Sequence, residues 1–115
     1  MENKNGYSGR IRLGETNLTT RGFLGYEKKI EGFSEIVRET EKAILFKFTG
    51  TITHFPGDEE EVVEEVEETV WIPKSQSEVG KEFLYFANWL QKKNRILEDL
   101  QIYSSLHDGE EVFQD

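Results

Sequence analysis

The sequence contains no cysteine, one methionine, two prolines and two histidines among its 115 residues. Without cysteine there is no disulfide and no thiolate metal site, and nothing marks the redox compartment. His54 and His107 stand in no His-Glu-x-x-His or comparable spacing, so no metal site is expected and zinc lacks a ligand set. Apolar runs are short, and none approaches the roughly 18 residues that a membrane span needs. The opening "MENKNGYSGR" has no apolar signal-peptide core, so a cytoplasmic protein is expected. No cofactor motif occurs. Lys74 and Ser75 are adjacent, which points their side chains apart in extended chain, and no base is nominated for a serine nucleophile. The expected class is therefore non-enzymatic.

Acid is what the chain has in excess. Fourteen Lys/Arg stand against 23 Asp/Glu, for a net charge of −9, and the charge is unevenly spread. Residues 1–30 carry six basic and three acidic side chains, whereas residues 31–115 carry eight basic and twenty acidic ones. Overall acidity argues against a surface that coats duplex DNA, because such binding is driven by counterion release from many phosphates. It leaves room for a local basic patch. Eight Phe, four Tyr and two Trp, with 36% apolar residues, suffice for one core in a chain of one-domain size.

Three regions follow from the order of residue types. Residues 1–30 read as a Gly- and Arg-containing arm, in which Gly6, Gly9, Gly14, Gly22 and Gly25 punctuate short apolar pairs and leave one or two short strands. Residues 31–103 read as a β-rich globular unit with a C-terminal helix, and residues 104–115 as an acidic tail. Within the middle region, Ile44, Phe46, Phe48 and Ile52 share one parity while Lys47, Thr49, Thr51 and Thr53 share the other. That is the period of a strand with one dry and one wet face. "ETEK" suits a hairpin before it, and "FPGD" a type II turn after it. In "DEEEVVEEVEETVWIP" the valines fit either a helix or a strand, and the β-branched ending favours the strand. Pro73 cannot donate to a ladder and should end it. Two segmentations follow. Ser75 with Glu78 has capping-box spacing that would start a helix near residue 76. In the preferred reading, "KEFLYF" is a short strand and Asn88 caps a helix running "WLQKKNRILEDLQIY". The expected class is α+β: mainly antiparallel sheet, or a small barrel, covered by a C-terminal helix.

The segments "ETEKAILFKF", "ETVWIPKSQ" and "NWLQKKNRI" resemble a group of small proteins of phages and other mobile elements, and the resemblance covers residues 35–97. Trp71-Ile72-Pro73-Lys74-Ser75 is the most specific part. Two features depart from that pattern: the hairpin "FTGTITHFPGDEEEVVEEVEE" is longer, and the N-terminal arm has no counterpart. The resemblance implies a mobile-element origin and, through genetic neighbourhood, a link to recombination or replication. It implies no activity.

Three stretches are binding candidates. In the arm, Arg10, Arg12, Arg21, Phe23, Tyr26, Lys28 and Lys29 interleave cations with aromatics, as single-strand binders do. The plainer reading is an arm whose aromatics complete the core. Trp71 and Lys74 could add a stacking platform and a phosphate contact, or simply end a strand. Glu61, Glu64, Glu65 and Glu67 form either a solvated strand edge or a surface that imitates nucleic acid towards a basic partner. The leading expectation is an accessory protein that binds single-stranded nucleic acid in replication or recombination. The alternative is an acidic inhibitor or adaptor, of DNA-mimic or anti-defence type, that binds a host nucleic-acid-handling protein. An exposed hairpin edge would also permit a strand-paired homodimer.

Overall fold

The computed structural model describes residues 4–21, 27–55 and 60–100. Antiparallel strands dominate it and form two separate sheets, neither closed into a barrel. The smaller sheet has the order β1 (Gly9–Arg12), β7 (Phe83–Phe86), β6 (Ser77–Val79). The larger is a meander of β2 (Gly14–Arg21), β3 (Glu27–Glu39), β4 (Ala43–Phe55) and β5 (Val62–Pro73). A 3-10 turn over Asn88–Lys93 leads into a helix, α1, at residues 95–100. The N-terminal stretch thus supplies a strand to each sheet. The Pro-Gly turn expected at residues 55–58 and the tail at 104–115 lie outside the described residues, except for Phe55 at the end of β4.

Alternation places Ile44, Phe46, Phe48 and Ile52 of β4 on the inner face, as the sequence period requires. The register carries that face sideways. Ile30 lies opposite Ile52, and Ile72 opposite Ile44, and both are fully or almost fully buried. The small sheet contributes Ile11, Leu84 and Phe86, and the C-terminal segment Leu90, Ile96, Leu97 and Leu100, to one shared cluster. Each such side chain contributes roughly 1.5–3 kcal/mol on leaving water. This burial holds the two sheets and the helix together.

Three glycines make that arrangement sterically possible. Between β1 and β2 the chain changes sheets across Leu13, and Gly14 takes a φ of +101°, which only glycine adopts cheaply. Gly32 and Gly50 face one another across β3 and β4. A Cβ on Gly50 would run into the carbonyl oxygen of Glu31 and lie 2.6 Å from the Gly32 Cα, while one on Gly32 would meet Phe48 Cζ at 2.7 Å. The Phe48 ring therefore occupies the place of a side chain at position 32.

The helix starts later than its sequence suggests. Asn88 sits in the 3-10 turn, and Asn94 is the cap: its Oδ1 accepts the backbone N–H of Ile96 at 2.9 Å and of Leu97 at 3.3 Å. The earlier turn is used to bury Leu90 while Trp89 stays 46% exposed beneath the Lys93 ammonium.

Two substitutions should move stability in opposite directions. Gly50→Ala is expected to cost about 1–3 kcal/mol, because backbone rather than a flexible side chain must yield. Ser34 buries its Oγ without a partner among the described residues, so Ser34→Ala should leave stability unchanged or raise it by up to about 1 kcal/mol. Thermal melts of both variants check this.

Candidate nucleic-acid interface

The parity that buries Leu84 and Phe86 turns Phe83 and Tyr85 outward. In the β1–β7 register, Arg10 lies opposite Tyr85 and Arg12 opposite Phe83. Both guanidiniums settle on the same ring: the Arg10 carbon is 4.9 Å from the Phe83 centroid and the Arg12 carbon 4.8 Å. Phe83 is 7% exposed as a result, although it points away from the core. The Tyr85 ring stands 5.9 Å from Phe83, tilted by 39°. Arg12 also reaches Glu82 at 3.7 Å, a loose ion pair with a well-exposed carboxylate. The chain before β1 is anchored beside this face: the Tyr7 hydroxyl donates to the Ser75 carbonyl, and the Asn5 N–H donates to Glu78. The outward face of the small sheet thus carries two ordered guanidiniums and two aromatic rings.

The other cations expected at a binding surface lie elsewhere. Lys28 shares the inner parity of the large sheet and meets Asp99 of α1 at 4.0 Å. Lys29 is on the outer face, 3.6 Å from Glu31. Lys74, in the 3-10 turn after β5, bonds to Glu39. Trp71 stands 49% exposed on the outer face, opposite Leu45. Lys29 lies opposite Thr53, eight positions along β4 from Leu45, a separation of roughly 27 Å at strand rise. Arg21 closes β2 opposite Glu27, and its side chain lies outside the described residues, as do Phe23 and Tyr26. Of the sequence-nominated cations, the structure brings together Arg10 and Arg12. Phe83 and Tyr85 complete their group. The sequence marks "KEFLYF" as a strand, but nothing in it singles out these two rings for a binding face.

The four glutamates separate as well. Glu61, just before the edge strand β5, and Glu65 within it are exposed, and Glu67 pairs with Lys47 at 3.2 Å across the outer face. Glu64 has the opposite parity, opposite Ile52, and is drawn into the seam between sheet and helix. It bonds to Arg95 at 2.9 Å and approaches His54 at 3.6 Å. The bond from Arg95 holds the Glu64 carboxyl below its ordinary value, against partial desolvation, with His54 adding to the lowering. The same bond holds Arg95 more firmly protonated. Since folding depresses this carboxyl's pKa, its contribution to stability is present above the ordinary value of 4.5 and fades as pH falls below it.

Glu64→Gln is expected to lower the melting temperature by about 2–4 °C at neutral pH, the scale of an exposed ion pair in a small domain. The difference from the parent should shrink as the buffer is taken from pH 5 to about pH 3. A difference that stays constant across that range would contradict this assignment.

Among the described residues no group of three or more His, Asp or Glu side chains could hold a metal ion, and no helix is long and apolar enough to cross a membrane. Comparison with protein-family models, with curated proteins and with solved structures finds no match for this chain.

Proposed function

We propose that the protein is a non-enzymatic accessory protein of a phage or other mobile element that takes single-stranded nucleic acid on the outward face of its small sheet. The observation that carries this reading is the stacking of Arg10 and Arg12 on one phenylalanine ring, beside Tyr85. A ring that takes the flat face of a guanidinium fixes its plane and leaves phosphate recognition to the in-plane N–H fork. Phosphate oxygens would replace surface carboxylates such as Glu82, a loose partner at 3.7 Å. Tyr85 offers a base a stacking surface worth roughly 1–3 kcal/mol.

Two cations on a chain of net charge −9 set the scale of the interaction. Single-strand binding loses about 0.7 decades of affinity per decade of salt for each phosphate engaged, so two contacts give a slope of about −1.4. Binding should be weak, short in footprint and strongest at low salt.

A second reading is favoured by a different observation. Glu61 at the entry to β5, and Glu65, Val63 and Trp71 along it, all exposed, put carboxylates and apolar groups on an edge strand. That combination suits docking onto a basic host protein. Six glutamates within residues 60–68 would also oppose pairing of this edge with its own copy.

The readings separate in one experiment, the fluorescence anisotropy of a labelled oligothymidylate titrated with the full chain. Arg12→Ala and Tyr85→Ala should each weaken binding by about tenfold, whereas Gln at positions 61, 65 and 67 should leave it unchanged or slightly tighter. No binding at about 20 mM salt, or equal affinity for the Arg10→Ala/Arg12→Ala double variant, would overturn the nucleic-acid reading.

A further inference from the structure

A groove lies on the other margin of the small sheet, away from β1. Its volume is about 550 Å³, and it runs between strand β6 and the ends of β3 and β4, with Ile36, Ile44 and Val79 as its apolar lining. A volume of that size falls in the range of ligand-binding clefts. Successive residues of a strand face opposite sides, so a groove on one face touches every second residue. This groove instead touches Ser77, Glu78 and Val79 in succession. It therefore follows the edge of the strand, where main-chain groups are presented.

The ladder fixes which groups those are. Ala87 donates to the Gln76 carbonyl and Gly80 to the Phe83 carbonyl, so residues 76, 78 and 80 turn their amides towards β7. By the same alternation, Ser77 and Val79 turn theirs away. The Ser77 N–H is used within the preceding 3-10 turn, donating to the Lys74 carbonyl. What faces the groove is the Ser77 carbonyl together with the N–H and carbonyl of Val79, the set with which a strand receives a neighbour. The rim carries Glu39 and Glu78 against one cation, Lys74, which is already bonded to Glu39. Among the described residues Glu78 makes a single long contact, accepting the Asn5 N–H at 3.4 Å.

We propose that this groove binds an extended peptide of a partner protein by strand addition to β6, with an aliphatic side chain over Ile36, Ile44 and Val79 and a flanking lysine or arginine against Glu78. Main-chain bonds supply the affinity and the alternating side chains the selectivity. The main-chain edge of β6 is the margin of the sheet opposite β1, while the Glu78 side chain, in register with Tyr85, shares the outward face with Arg10.

The test uses the full chain, isotope-labelled, and an acetylated hexapeptide of alternating lysine and valine. The Ser77–Val79 amides and the Ile36 and Ile44 methyl signals should shift saturably, and a glutamate–valine hexapeptide should leave them in place. Val79→Pro removes the outward donor without touching the β7 ladder, and edge strands tolerate proline. It should weaken the lysine–valine peptide by about tenfold. Glu78→Lys, which needs no backbone change, should do the same. Undiminished binding in a folded variant of either kind would overturn the proposal, and so would shifts confined to the acidic strand β5. A concentration-dependent dimer that Val79→Pro dissociates would assign the groove to a second copy of the chain and equally overturn it.

Discussion

Burial of Ile11, Leu84 and Phe86 against the large sheet fixes the parity of β1 and β7, and the candidate interface is a consequence of that choice. A slip of one residue would turn Arg10, Arg12 and Tyr85 into the core. Burying two guanidiniums would cost several kcal/mol each, whereas stacking them on Phe83 returns about 0.5–1 kcal/mol per contact at an exposed site. The apolar face therefore decides the register, and the Arg-aromatic face follows from it. Gly14 belongs to the same constraint, because it lets β1 lie in one sheet while β2 begins the other within two residues.

Charge is sorted by this framework into three settings. Arg10 and Arg12 lie over an aromatic ring. Lys28, Arg95, Glu64, His54 and Asp99 close the seam where α1 meets the inner face of the large sheet. Most of the remaining carboxylates of β5 face water along a sheet edge. The acidic run thus has two structural uses at once, tying down a helix through one glutamate and discouraging edge pairing through the rest. Neither use excludes a partner at the exposed positions. The groove beside β6 is the complement of that edge. One margin of the molecule is guarded by like charge, while the other offers main-chain donors and acceptors beside an apolar floor.

Much of the architecture was legible in the sequence, because β4 alternates cleanly and Pro73 can only end a strand. The strand reading of residues 62–73 rested on β-branched content, and the long hairpin partner in β4 is what makes it hold. Other features were not legible for identifiable reasons. Asn88 and Asn94 are both competent caps. Only the burial of Leu90 by a 3-10 turn selects the second. "FLYF" is apolar on both parities, so its outward pair is invisible until β1 is known to lie beside it. Residues 9–21 read as an arm because their strands are short or polar, and because β1 pairs with β7 some seventy residues further on while β2 pairs with the neighbouring β3. The dispersal of Lys28, Lys29 and Lys74 follows from strand parity and register, which a linear count of charge ignores.

Amide hydrogen exchange along residues 9–13 addresses the fixed placement of Arg10 and Arg12 most directly. The Leu13 amide donates to the Glu82 carbonyl, so by alternation the Gly9 and Ile11 amides also face β7 while those of Arg10 and Arg12 face outward. The account predicts slow exchange at 9, 11 and 13 and fast exchange at 10 and 12. Uniformly fast exchange across the five positions would mean that β1 is not held in the sheet, and the guanidiniums would then have no fixed ring to share.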